Sequence, residues 1–383
     1  MERSVVHMDL DSFFVSVERL NNTSLVGKPV IIGGGSDRGV VASCSYEARQ
    51  FGVHSAMPSK TARMLCPHAI FVRGDMDMYS RYSNTVTEII EAEAPLVEKA
   101  SIDEHYLDIS GMDKYVKQSM LWTHELREKI IRETGLPISF GLSQNKTVSK
   151  VATNQAKPNG EKQVLFGTEK IFLAPLSIQK IPGIGDKTNG ILRNMGIEKI
   201  GTIQTMPIML MQKVLGENGA VIWRKANGID NNPVEPQSEA KSMSTEDTFD
   251  RDTTDVVYLK RVLTMMVEKL AYKLRKDLKV TGCVTLKLRY SDFQTHTFQK
   301  RISYTASDDV ILQTILELFE RNFSRRVLIR LIGVKFSNLV SGFNQINLFE
   351  DTEEKINLYQ AMDKIRNRFG DKAIMRSIGL EKP

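Results

Sequence analysis

Two groups of carboxylates have the residue types and spacing for chemistry: Asp9 with Asp11 two residues on, and the adjacent pair Asp103-Glu104, 94 residues beyond Asp9. Phosphoryl transfer asks little covalent help of a protein, but it needs cations to neutralise charge on the attacking and leaving oxygens. A hard ion such as Mg²⁺ takes carboxylate oxygens. Adjacent acids on a regular strand point to opposite faces, whereas at a hairpin tip both can reach one site. Taken singly, each acid reads as a solvated strand end. As a set they suggest a metal site, provided that the strands carrying them are neighbours in one sheet.

The surrounding pattern supplies such strands. Residues 5–11 read as a short buried strand with acids at its C-terminal end, and residues 13–20 as the start of an amphipathic helix. Residues 95–109 read as two strands meeting near Asp103 and Glu104, flanked by helices over 79–93 and 118–133, with a further strand over 138–142. The order is strand, long insertion, helix, strand, strand, helix, strand. It fits an α+β split βαβ sheet with helices on one face, and the insertion, roughly residues 21–77, forms a small subdomain.

From residue 178 the pattern changes to short helices joined by glycines, among them Gly183 and Gly185. Residues 231–241, with two prolines, read as a linker. Beyond it come a strong helix over 255–279, with Leu259, Val262, Leu263, Met266, Leu270 and Leu274 on one side, and an alternating strand over 283–290. This second module comes out as βαββαβ. A polar face carrying Lys287, Arg289, Lys300, Arg301 and Lys335 could lie along DNA.

Charge placement supports that reading. The 383 residues carry a net charge of +6, and residues 241–341 hold 18 Lys plus Arg against 12 Asp plus Glu, so one segment carries the equivalent of the whole excess. A basic module on a nearly neutral body suits a phosphate backbone. Cys44, Cys66 and Cys283 are far apart and in no CxxC arrangement, which argues against a disulfide framework or a structural zinc site. Apolar stretches are broken by charge before the 18 or so residues that a membrane span needs, and the N-terminus lacks a signal peptide's apolar region. The expectation is a cytoplasmic protein with no membrane partner.

Three stretches together, Met8-Asp9-Leu10-Asp11-Ser12-Phe13-Phe14, Ser101-Ile102-Asp103-Glu104-His105-Tyr106-Leu107-Asp108 and Ala156-Lys157-Pro158-Asn159-Gly160, resemble the Y-family DNA polymerases, in particular their bacterial DinB branch. The resemblance covers nearly the whole chain in the right order. It implies a right-hand polymerase: a ferredoxin-like palm (1–20 and 78–166), small fingers (21–77), a helix-hairpin-helix thumb (167–231), a linker (232–241), a little finger (242–341) and a tail (342–383). It implies an error-prone, lesion-bypassing enzyme that transfers dNMP from a dNTP to a primer 3′-hydroxyl and releases pyrophosphate. Two Mg²⁺ ions would be held by Asp9, Asp103, Glu104 and the Leu10 carbonyl, while Asp11 matches a family acid that is not a ligand.

By the same resemblance Phe14 falls at the steric gate that rejects a ribose 2′-hydroxyl. Tyr46, Arg49 and Lys157 match contacts to the incoming triphosphate, for which the planar fork of Arg is well shaped. His105 stands where the family usually has alanine. Two placements are open for it: packed away from the acids, or beside the metals, where it would make activity sensitive below about pH 6.5. Gly183 and Gly185, with Lys187, resemble a helix-hairpin-helix whose backbone amides bind a DNA phosphate. Gln345, Leu348 and Phe349 match the peptide that docks bacterial proteins on the sliding clamp. The expected partners are primer–template DNA, dNTPs and the clamp, with the protein itself a monomer. Two other readings are a non-catalytic DNA-binding repair factor, which should lack the acidic triplet, and a palm-fold nucleotide cyclase, which has no use for the clamp peptide.

Overall fold

The computed structural model describes residues 3–112, 119–236, 239–323, 327–342, 353–370, 373–374 and 376–377. The chain divides into two compact units, residues 1–238 and 239–383.

In the first unit β1 (Val5–Leu10) is buried along its whole length. Val6, Met8 and Leu10 enter one core, while His7 and Asp9 face the other side. After α1 (Phe13–Asn21) the insertion forms β2 (Val30–Gly33), β3 (Val41–Cys44), the one-turn α2 (Tyr46–Arg49), α3 (Ser59–Leu65) and β4 (Ile70–Val72). Its three strands make a separate sheet, order β3-β2-β4, over a small core that includes Ile31, Val41, Cys44, Met57 and Cys66. The chain then returns through α4 (Met76–Glu93), β5 (Val97–Lys99), β6 (Glu104–Asp108), α5 (Ser119–Thr134), β7 (Ile138–Ser143), α6 (Lys146–Ala156) and β8 (Glu161–Gln163). The main sheet has the order β5-β6-β1-β7-β8, antiparallel except for β7 with β8.

Helices cover both faces of this sheet, where the sequence pattern suggests only one. Leu126 and Ile130 of α5 and Val86 and Ile90 of α4 pack with Phe140 and Leu142 on one side. On the other side α6 lies directly on β7 at Gly141, where a Cβ would stand 2.2 Å from the Ser149 carbonyl oxygen. Only glycine lets the helix come so close. The back of α6 supplies Val148 and Val151 to a third core, shared with α7 (Glu169–Leu173), α8 (Asp186–Asn194), α9 (Ile200–Thr205), α10 (Ile208–Leu215) and α11 (Glu217–Ala226).

The segment read as a linker is held down over its first part. Val234 is buried with Val5 and Tyr106, the Glu235 N–H donates to Glu98 at 2.9 Å, and Arg3 donates to the Asn232 carbonyl at 2.8 Å. One apolar residue among the prolines is enough to pin it, since burying such a side chain contributes about 1.5–3 kcal/mol.

The second unit runs β9 (Ser242–Thr253), α12 (Val256–Lys276), β10 (Lys279–Tyr290), β11 (Thr295–Thr305), α13 (Asp308–Asn322) and β12 (Ile329–Ser341), the βαββαβ order read from the pattern. Its sheet, order β11-β10-β12-β9, is antiparallel throughout. Leu259, Leu263, Leu270 and Leu274 of α12 and Ile311, Ile315 and Phe319 of α13 bury one face. Asp255 caps α12 by accepting from the Val257 and Tyr258 amides. A last helix, α14 (Glu353–Phe369), is tied to this unit by Arg275, which bonds both Asp308 and Asp363, and by the Tyr359 hydroxyl, which donates to Asp309. Gln345, Leu348 and Phe349 lie outside the described residues. Among the described residues no helix is long and apolar enough to cross a membrane.

Candidate active site

The antiparallel register of β1 and β6 sets Asp9 opposite Glu104. The tip before β6 is closed by Ser101, whose hydroxyl donates to the Asp103 carboxylate at 2.5 Å and accepts from the Glu104 amide at 3.0 Å. The Leu10 N–H donates to the Asp103 carbonyl at 3.0 Å, stitching the tip to the end of β1. A strand end and a hairpin tip thus bring the three acids to one end of the sheet's interior strands.

Asp9 is buried and receives the Lys157 ammonium at 2.5 Å. Burial pushes its carboxyl up to about 7 against the pull of Lys157, and the neighbouring Glu104 and Asp103 add to the rise. For Glu104 burial also works upward, but His7 and Lys150 beside it outweigh burial and hold it below the usual carboxylate range. Lys150, on α6, grips both Glu104 oxygens at 2.6 and 2.5 Å. His7 is fully buried, and that burial lowers its pKa to about 4, so the ring is neutral at pH 7. Its Nδ1 bonds the Thr153 hydroxyl at 2.9 Å, and its Nε2 stands 3.8 Å from Glu104, beyond hydrogen-bond reach.

These donors fit a divalent cation. Among the described residues, ligand atoms of His7, Asp9 and Glu104 lie within 4.8 Å of one another. Asp103 falls outside that group, and its Oδ1 accepts from the Ser101 hydroxyl. A divalent charge beside Asp9 would reverse the upward shift that burial imposes on it. Neither His7 nor Lys150 stood out in the sequence. The signal for His7 was its strand parity with Asp9, and for Lys150 its place one helical turn after Lys146 on the helix that packs over the acids.

Asp11, also buried, accepts from the Tyr46 hydroxyl at 3.1 Å. Tyr46 and Arg49 sit on α2, whose N-cap is the Ser45 hydroxyl, and the Arg49 guanidinium lies 4.9 Å from the Tyr46 ring centre. Lys157 follows α6 directly and reaches Asp9. Phe14 stacks on Tyr79 with ring centres 4.3 Å apart, and Tyr79 donates to Glu18. Tyr46 thus joins Asp11 and Lys157 joins Asp9, and the two pairs form a cluster around the end of β1. His105 leaves it: one residue past Glu104, it faces α4, where its Nε2 bonds the Thr87 hydroxyl at 2.9 Å, and burial lowers its pKa to about 4.

Gly183 has φ +104° in the turn before α8, and Gly185 caps that helix with no atom within 4 Å of where a Cβ would stand, so its backbone is open to an approaching phosphate. Lys187 lies in the first turn of α8. In the second unit Arg301 stands opposite Cys283 and Lys335 opposite Thr285, which places both on the same sheet face as Lys287 and Arg289. Lys300 does not belong to that face. It pairs with Val284 in register and donates to Glu317 of α13 at 2.8 Å, because consecutive strand residues point to opposite sides.

Residues 8–154 match the impB/mucB/samB family, and residues 240–348 match that family's C-terminal domain. A protein of Dehalococcoides mccartyi named DNA polymerase IV is 40% identical over 371 residues, 96% of this chain and 95% of that protein. A DNA polymerase IV of Clostridioides difficile is 34% identical over 367 residues, 95% of this chain and 99% of that protein. Among solved structures, a Y-family DNA polymerase chimera of Dbh and Dpo4 is 27% identical, with a TM-score of 0.76, covering 88% of this chain and all of that one. An insertion ternary complex of Dbh DNA polymerase, also 27% identical with the same coverage, has a TM-score of 0.64. With the paired acids at the end of neighbouring strands, the separate small sheet and the βαββαβ module all in place, the chain belongs to the Y-family DNA polymerases.

Proposed function

We propose that this protein is a DNA-dependent DNA polymerase for translesion synthesis, adding dNMP to a primer 3′-hydroxyl with release of pyrophosphate at low fidelity. The pairing of Asp9 with Glu104, with Lys157 on Asp9 and Tyr46 on the neighbouring Asp11, carries the reading. Divalent metal use belongs to the family, and with Asp9, Asp103, Glu104 and the Leu10 carbonyl all offering hard oxygens the ions are two Mg²⁺. Bound there, Mg²⁺ supplies neutralisation of the charge that develops on the attacking and leaving oxygens.

The remaining roles fall to the chain's own groups. Tyr46, Arg49 and Lys157 bind the triphosphate, Phe14 lies under the sugar, and template pairing selects the base. Residues 1–20 and 78–166 act as the palm, 21–77 as fingers, 167–231 as thumb and 242–341 as little finger. Gly183, Gly185 and Lys187 meet a phosphate of the duplex, and Lys287, Arg289, Arg301 and Lys335 line its backbone. The protein works as a monomer on chromosomal DNA in the cytoplasm, docked on a sliding clamp through residues 345–349.

Primer extension with dNTPs and Mg²⁺ tests the assignment. Asp103→Ala and Glu104→Ala should each slow template-directed extension by about 10²-fold or more, and Phe14→Ala should admit ribonucleotides. Purified protein that binds primer–template yet extends nothing would falsify the polymerase reading and leave a DNA-binding factor in its place.

A further inference from the structure

Asp11 is 2% exposed and lies outside the group of metal-competent ligands. Its carboxylate is committed elsewhere. Oδ1 accepts from the Tyr46 hydroxyl at 3.1 Å, while Oδ2 accepts from the Ser139 hydroxyl at 2.6 Å and the Asn159 amide at 2.7 Å. The Ser139 oxygen in turn accepts the Gly160 amide at 3.1 Å. The donors come from three places: α2 in the insertion, β7 in the main sheet, and the loop that runs from Lys157 to β8.

Arg127 grips that loop from outside. Its Nη2 donates to the Asn159 carbonyl at 3.0 Å and side-chain oxygen at 2.6 Å, and its Nε donates to Ile138 at 2.9 Å. The loop is therefore held on two sides, two residues from the Lys157 ammonium. A carboxylate suits the inner position because both of its oxygens only accept, so it can take donors from two directions together, and hydrogen bonds to an ionised acceptor are the stronger kind. An amide of the same shape offers one accepting end and one donating end.

We propose that Asp11 is a positioning residue for the nucleoside triphosphate: a single carboxylate holds the Tyr46 side chain and the Lys157 loop in a fixed relation, so that the Lys157 ammonium and the Tyr46 hydroxyl, once its one hydrogen turns from Asp11 to a phosphate oxygen, meet one phosphate chain. The inference rests on the reading of Tyr46 and Lys157 as triphosphate contacts. Holding two ligand groups in place before the ligand arrives removes the ordering cost from the binding step. The consequence should appear in dNTP affinity rather than in metal or duplex binding.

Single-nucleotide incorporation by Asp11→Ala and Asp11→Asn, with primer–template Kd and melting temperature measured alongside, tests this. The dNTP KM should rise about tenfold in Asp11→Ala, less in Asp11→Asn, with primer–template Kd within about twofold of wild type. Tyr46→Phe should raise KM less in the Asp11→Ala background than in the wild-type chain, because the two share one interaction. Unchanged KM in both variants overturns the proposal. So does a KM that moves only in step with duplex Kd and melting temperature, which marks a purely structural acid. If Asp11→Ala does not fold, Ser139→Ala, which cuts the link to Gly160, carries the same expectation at about threefold. Tyr46→Phe and Lys157→Ala alone separate the two levels. No effect on KM in either removes the triphosphate reading itself, whereas an effect there with none at Asp11 refutes only the positioning role.

Discussion

His7 and Glu104 face the same side of the sheet as Asp9, while His105, one residue beyond Glu104, faces α4 and bonds Thr87. Both imidazoles are buried and neutral at pH 7, yet only His7 is within 4 Å of an acid of the cluster. The placement predicts that His105→Ala keeps the wild-type dependence of kcat/KM on pH between about 5.5 and 8. The cost should appear in stability instead, at about 2–3 kcal/mol for the cavity left under the sheet. Parallel pH–rate profiles and urea melts would check both halves, and an acid limb that shifts in the variant would return the ring to the metal side. The sequence left this choice open because it does not say at which residue a hairpin tip becomes a regular strand; the β6 pairing, which starts at Glu104, settles it. The acids themselves were legible, since strand parity and a tip of two adjacent carboxylates need no tertiary information. Asp11's three partners were not, because they are 35, 128 and 148 residues away.

At the scale of elements, β11 shows what is lost when basic residues are read as a group. Lys300 and Arg301 are neighbours, so one of them must leave the face that carries Lys287 and Arg289, and the register with β10 assigns that place to Lys300. Arg301→Ala should weaken binding to any duplex sequence and flatten the slope of log K against log salt by about one. Lys300→Ala, by contrast, should leave both unchanged beyond the loss of an exposed ion pair with Glu317. Salt-dependent binding isotherms of the two variants would decide, and equal slopes would refute the face assignment. The helix α6 carries the opposite lesson. Lys146 and Lys150, one turn apart, reach Glu98 and Glu104 across the sheet, while Val148 and Val151 hold the helical bundle behind. Amphipathic spacing could identify the helix as two-sided, but only the close approach at Gly141 explains why its lysines reach the acids.

On the scale of the whole molecule, the order of elements was readable because periodicity switches cleanly between segments: βαββαβ in the second unit follows directly from the pattern. The second covering of the main sheet was not, since it depends on which helix returns to which face. The peptide at 345–349 follows β12, and α14 after it is latched to the same unit through Arg275 and Asp363. Replacing Gln345 and Leu348 together by Ala should abolish stimulation of synthesis by the clamp, about a tenfold loss or more, with unstimulated synthesis unchanged, since extended-peptide docking rests on a few anchor side chains. Stimulation that survives in the double variant would move the docking site elsewhere.

The pinned stretch around Val234 also determines where the chain can be divided. A catalytic fragment ending at residue 231 would leave the apolar contact between Val5 and Tyr106 uncovered and the Glu98 carboxylate without the Glu235 amide. Recombination between relatives, in nature or in the laboratory, therefore has its seam after Glu235: a crossover placed before Val234 would separate it from the partners against which it is fitted, while one placed after Glu235 exchanges the basic module and leaves the catalytic unit whole.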